Sequence, residues 1–195
     1  GINTVLAFAL FFCTGMICAC VKFLQEWATP LTVVNYIMLG SASGFSLATA
    51  FAAYVGSGLV TFYGAWAIII TLVAFVSRSA SLFRNARIKY KSSLRSAIGI
   101  RHARIEQKSR GFMAGSFNTR EYFHGASAQS FGSVKWIFLV LVFPVPVALI
   151  SIGLGSGAFP LLALAFAVQY AGLLAERWFF FAQANHPQNL YYQTV

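Results

Sequence analysis

Charge is what this sequence has least of. Only 9% of its 195 residues are charged, and just four are acidic, whereas about a quarter of a soluble domain is charged. So few charges cannot coat a water-soluble surface around a core of this size. Histidine is as sparse. The three present, His102, His124 and His186, all fall outside the apolar runs, so no imidazole is offered to a haem held between membrane helices, and no haem is expected. The three cysteines, Cys13, Cys18 and Cys20, lie in one apolar run. They form neither a four-thiolate cluster site nor a zinc site with those distant imidazoles, and they imply no disulfide framework. No paired carboxylates, nucleophile–base pair or phosphate-binding loop appears, which argues against an active site contained in this polypeptide.

What remains is apolar. Hydrophobic residues make up 58% of the chain and aromatics 16%, with a mean hydropathy of +0.72. A bilayer core needs roughly 20 apolar residues per helix, and hydropathy places spans near residues 3–23, 34–55, 59–82, 134–154 and 158–177. The expected fold is all-α, a polytopic transmembrane bundle of about five spans forming one integral membrane domain over 1–195. The first run is too long for a signal peptide and lacks a small-residue cleavage pattern. Gly1 is not an initiator methionine, so further residues are expected upstream. Gly40, Gly44 and Ala48, at four-residue spacing, predict a close helix approach in the second span. Pro144 and Pro146 predict a kink in the fourth, where the carbonyls they free must find other donors.

The net charge of +10 raises the question of nucleic acid, but the positions argue for topology instead. Lys22 and Glu26 follow the first span, Arg78 closes the third, and Lys135, Glu176 and Arg177 lie at the same ends of the last two. All other charges fall between residues 84 and 121. The Gly1 end and the turns at 55–59 and 155–158 carry none, so the charged face is expected to be cytoplasmic, with the C-terminus inside a bacterial inner membrane. Residues 84–133 form a long basic cytoplasmic loop. Its first part, Arg84 to Ile98, alternates bases with apolar residues and suits an amphipathic helix on anionic headgroups. Its second, GFMAGSFNTREYFHG, suits a folded docking surface with a short helix starting at Asn118. Transport would require ionisable groups within the spans, and this reading places none there.

Two polar and aromatic clusters flank the spans on that face, KFLQEWATPLTVVNY and AERWFFFAQANHPQNLYY, with residues 178–195 read as an aromatic tail. Aromatic belts account for Trp27 and Trp178. They do not account for Glu26, Glu176, Asn185 or His186, which are costly near lipid unless paired. A quinone site uses such groups to bond the head carbonyls and exchange protons, with aromatics lining the ring. On depth and polarity the candidate quinone residues are Glu26, Trp27, Asn35, Arg177 and His186.

The stretches FLQEWATPLTVVNYIMLGSASG, GSFNTREYFHG and AERWFFFAQANHPQNLYY resemble the membrane anchor subunit of the dimethyl sulfoxide reductase family, which includes sulfite dehydrogenase anchors. The resemblance covers most of the chain. It implies an eight-helix anchor lacking haem, about three N-terminal helices beyond those seen here, and partner subunits carrying molybdopterin and iron–sulfur clusters. It also implies electron exchange with menaquinone or ubiquinone at the subunit interface. The histidine and acidic residue that the family links to quinol lie in N-terminal helices and have no counterpart here. A membrane scaffold or assembly subunit without electron transfer is the alternative, and a small-solute transporter a third.

Overall fold

A computed structural model describes residues 1–89, 93–100, 102, 104–105 and 128–185. Every regular element among them is helical: α1 (Ile2–Ala19), α2 (Pro30–Val55), α3 (Val60–Ala86), α4 (Leu94–Ile98), α5 (Ala128–Val142), α6 (Pro144–Ser156) and α7 (Pro160–Ala182). The chain is a helical membrane bundle. Among the described residues four segments are long and apolar enough to cross a membrane, namely α1, α2, α3 and the α5–α6 pair. The fifth expected span, α7, has 23 residues, but Gln169, Glu176 and Arg177 make it more polar than the others. That polarity faces inward, with Gln169 and Glu176 buried.

Local chemistry sets the ends. Thr29 caps α2 by accepting from the Leu31 amide at 3.4 Å, and Pro30 occupies the first turn, where its missing N–H removes nothing the helix needs. Gly56 closes α2 at φ +70°, a left-handed conformation that glycine adopts without strain. The limits differ from the hydropathy reading at several ends, three of which bear on the polar face. Helix α1 stops at Ala19, α3 continues to Ala86 past Arg78, and α7 runs to Ala182, so Trp178 to Ala182 are helix rather than tail. Within the basic loop, the short α4 has Ser93 as its cap. The Asn118 helix and the docking surface lie outside the described residues.

Helix α2 is central, packed against α1, α3 and α7, while α7 also lies against α5 and α6. The small-residue stripe serves only in part. Gly40 accommodates the Phe11 ring, whereas a Cβ at Gly44 would meet nothing within 4 Å. The closest backbone approaches are made elsewhere. A Cβ at Gly15 would stand 3.0 Å from the Val33 Cα, and one at Gly172 would stand 3.0 Å from the Leu141 carbonyl carbon.

The predicted kink is present, dividing α5 from α6 at Phe143. Pro146 has no N–H to give the Val142 carbonyl. Gln169 of α7 replaces it, its Nε2 donating to Val142 O at 3.3 Å and to Thr71 Oγ1 at 3.2 Å, while its Oε1 accepts from the Ser46 hydroxyl at 2.6 Å. One buried amide thereby joins α2, α3, α5 and α7. In Gln169→Leu these partners lose their bonds, and each buried polar group left unsatisfied costs about 1–3 kcal/mol. Thermal unfolding of the detergent-solubilised chain should show a lower Tm. The loss should shrink in a Pro146→Ala background, where a backbone N–H returns to Val142 O. Strictly additive effects of the two substitutions would refute the link.

Candidate functional site

The polar end of the bundle is built by the segment between α1 and α2 together with the last turns of α3 and α7. Residues 20–29 descend through successive turns, with Leu24 N donating to Val21 O and Trp27 N to Leu24 O. Trp27 is thereby tucked under α7. Its ring stacks on Phe180 at 5.1 Å and 8°, meets Phe181 edge-on at 5.5 Å, and its Nε1 donates to Phe180 O at 3.1 Å. That carbonyl belongs to the final turn of α7, where helix carbonyls lack intrahelical donors. Arg84 ties the same strap to α3, its Nη2 donating to Gln25 O at 3.0 Å.

Three charges lie beside this strap. Arg78 of α3 pairs with Glu176 of α7, Nη2 to Oε1, at 2.7 Å, with the two side chains 1% and 0% exposed. The other carboxylate oxygen, Oε2, receives Nε and Nη2 of Arg177. Arg177 lies over the rings of Tyr36, 4.3 Å away, and Phe180, 4.7 Å away. Arg78 faces the Phe138 ring at 5.6 Å. The arrangement is a carboxylate between two guanidinium groups, each cation backed by the negative face of an aromatic ring. It carries one positive charge in excess.

The expectation that no ionisable side chain lies within the helices is therefore corrected. Arg78 and Glu176 sit inside the bundle because each supplies the counter-charge that makes the other's burial tolerable. Sequence marks Glu176 as costly unless paired, without placing it among the quinone candidates, and does not single out Arg78. Their spacing held a clue, since Thr71 and Arg78 are seven residues apart, as are Gln169 and Glu176, which puts each pair on one helix face.

The sequence-derived candidates divide. Glu26, Trp27 and Asn35 are buried and engaged within the protein: Glu26 Oε1 accepts from the Asn185 amide at 3.2 Å, and Asn35 Oδ1 accepts from the Ser77 hydroxyl at 2.8 Å. Arg177, with 26% of its side chain exposed, is the candidate that reaches the surface. It adjoins Tyr36, which is partly exposed and which sequence reasoning missed. His186 lies outside the described residues. No grouping of three histidine, cysteine or acidic side chains suited to a metal occurs among the described residues.

A comparison with curated proteins finds a sulfite dehydrogenase subunit of Allochromatium vinosum, 58% identical over 194 residues. This chain is similar along its own length to a part of that subunit. The match takes in the whole of this chain and 60% of that protein, so the chain spans about three-fifths of its relative's length. No family model and no solved structure matches the chain.

Proposed function

We propose that this chain is a noncatalytic membrane subunit of a sulfite-oxidising complex and belongs with the anchors of the dimethyl sulfoxide reductase family. Its likeness, over 194 residues, to part of the Allochromatium vinosum sulfite dehydrogenase protein carries the reading. In it, a molybdopterin subunit oxidises sulfite, an iron–sulfur subunit relays the electrons, and both are held at the charged face, which is cytoplasmic in a bacterial inner membrane. This chain supplies the membrane edge at which quinone, either menaquinone or ubiquinone, takes up two electrons and two protons. Glu26, Trp27, Asn35, Arg177 and His186 belong to that edge, and the partly exposed Arg177 is the one best placed to meet quinone.

Purification from native membranes should bring molybdopterin and iron–sulfur subunits down with this chain, and the preparation should reduce a quinone analogue when given sulfite. A homogeneous lone chain without those partners would overturn the reading. The engagement of Glu26 and Asn35 within the protein favours a second reading, a scaffold that carries no electrons. An assembled complex that oxidises sulfite with a soluble acceptor but leaves every quinone untouched would select it.

A further inference from the structure

We infer that the end of α3 and the 20–29 strap together form a binding edge for anionic phospholipid, with Lys22 and Arg87 meeting headgroup phosphates and Phe23 and Phe83 set against the upper acyl carbons. The inference stands apart from the quinone reading and would hold without it.

Four observations carry it. The first is length. Helix α3 has 27 residues, about 40 Å at 1.5 Å per residue, against a hydrocarbon core of about 30 Å. Its last turns therefore stand in the headgroup layer. The second is what those turns present. Phe83 is 60% exposed, and the Arg87 guanidinium lies over its ring at 3.9 Å. A ring at this depth anchors a helix end, and a cation beside it reaches phosphate while its stem covers apolar surface. Third, the strap repeats the pair. Leu24, Glu26 and Trp27 turn inward, whereas Lys22 and Phe23 are exposed. The Arg84 bond to Gln25 O fixes the strap to the same end of α3, so both cation–ring pairs are held on one rim. Fourth, among the described residues no carboxylate answers these cations. The sequence has no acid between Glu26 and Glu106, and Glu26 and Glu176 are engaged, the one with the Asn185 amide and the other with two arginines.

The chain beyond α3 extends the pattern. Lys89 and Arg95 are exposed, as are Ile98 and Ile100, so cations and large aliphatic side chains again share one short stretch. An acidic soluble surface would answer the charge alone. A bilayer edge answers both halves of the pattern, phosphates to the cations and acyl carbons to the rings. Net charge then sets the preference, since phosphatidylglycerol is anionic and phosphatidylcholine is neutral overall.

The test titrates the protein, purified in its native assembly in detergent, with fluorescent phosphatidylglycerol or phosphatidylcholine. Phosphatidylglycerol should bind the more tightly, and its advantage should shrink as salt rises. Lys22→Gln and Arg87→Gln should each weaken phosphatidylglycerol binding about fivefold, the worth of one cation at an anionic surface. Phe83→Ser should weaken both lipids. These side chains are exposed, so each variant should keep the wild-type Tm, which separates lost binding from lost fold. Bound phosphatidylglycerol should also slow trypsin cleavage after Lys22 in the wild type. Equal binding of the two lipids, or wild-type affinity in both cation variants, would overturn the inference. Displacement of phosphatidylglycerol by an equal concentration of inorganic phosphate would overturn it in favour of a free-anion site. A preference shown by the lone chain and lost in the assembly would overturn it in favour of an acidic protein partner.

Discussion

Replacing Glu176 with leucine should abolish the stable folded chain, or lower its Tm by roughly 10 °C, since breaking a buried ion pair costs about 3–5 kcal/mol and each kcal/mol is worth about 2–4 °C at this size. The carboxylate answers two cations at once, pairing with Arg78 through Oε1 and with Arg177 through Oε2. Arg177 has an escape, because its partly exposed side chain can extend its head toward water along an apolar stem. Arg78 has none. It is 1% exposed, and its remaining near contact is the Phe138 ring at 5.6 Å. The double variant Arg78→Met/Glu176→Leu tests the cause directly, because replacing a whole buried pair with apolar side chains of similar size is often neutral. It should regain most of the lost stability, giving a large coupling in a double-mutant cycle. A Glu176→Leu chain that melts with the wild type would show that the pair contributes nothing to the fold.

How much of this was legible in the sequence depends on what each feature requires. Helices were legible because lipid demands long apolar runs, and the break before Pro144 and Pro146 because proline's missing donor is a property of one residue. The answer to that missing donor was not legible. Gln169 lies 27 residues from Val142 and 123 from Ser46, and nothing local says that one amide will serve both. The same applies to the candidate site. Depth and polarity mark Glu26 as a group that needs a partner and offer Asn35 to quinone, but the partners each has within the fold are Asn185, 159 positions away, and Ser77, 42 away. Sequence alone does not distinguish a polar group awaiting a ligand from one already satisfied within the fold. Helix α7 shows a related effect. A membrane bundle can hide its polar side chains between helices, so a helix with a polar buried face is undervalued by average hydropathy.

Trp27→Ala carries the other large expected effect, a loss of about 3–5 kcal/mol as for other buried aromatic truncations. The indole fills the space between the 20–29 strap and the end of α7, stacked on Phe180 and set against Phe181. Its N–H also answers the Phe180 carbonyl. Trp27→Phe separates these contributions, since a phenyl ring retains most of the packing and removes only the hydrogen bond, worth about 0.5–1.5 kcal/mol. The strap holds Lys22, an exposed trypsin site, so its attachment can be read without any activity assay. In Trp27→Ala the strap should loosen, weakening the Glu26 contact to Asn185 and the Arg84 contact to Gln25. Trypsin should then cut after Lys22 well below the global Tm. Protection in Trp27→Phe together with cleavage in Trp27→Ala would assign the anchoring to the stacked ring. Wild-type protection in both would place the hold in the Arg84 and Glu26 ties instead. Because Phe180 also underlies Arg177, losing the Trp27 stack should additionally disturb the cation proposed to meet quinone, and Trp27→Ala should raise the quinone KM of any complex that still assembles.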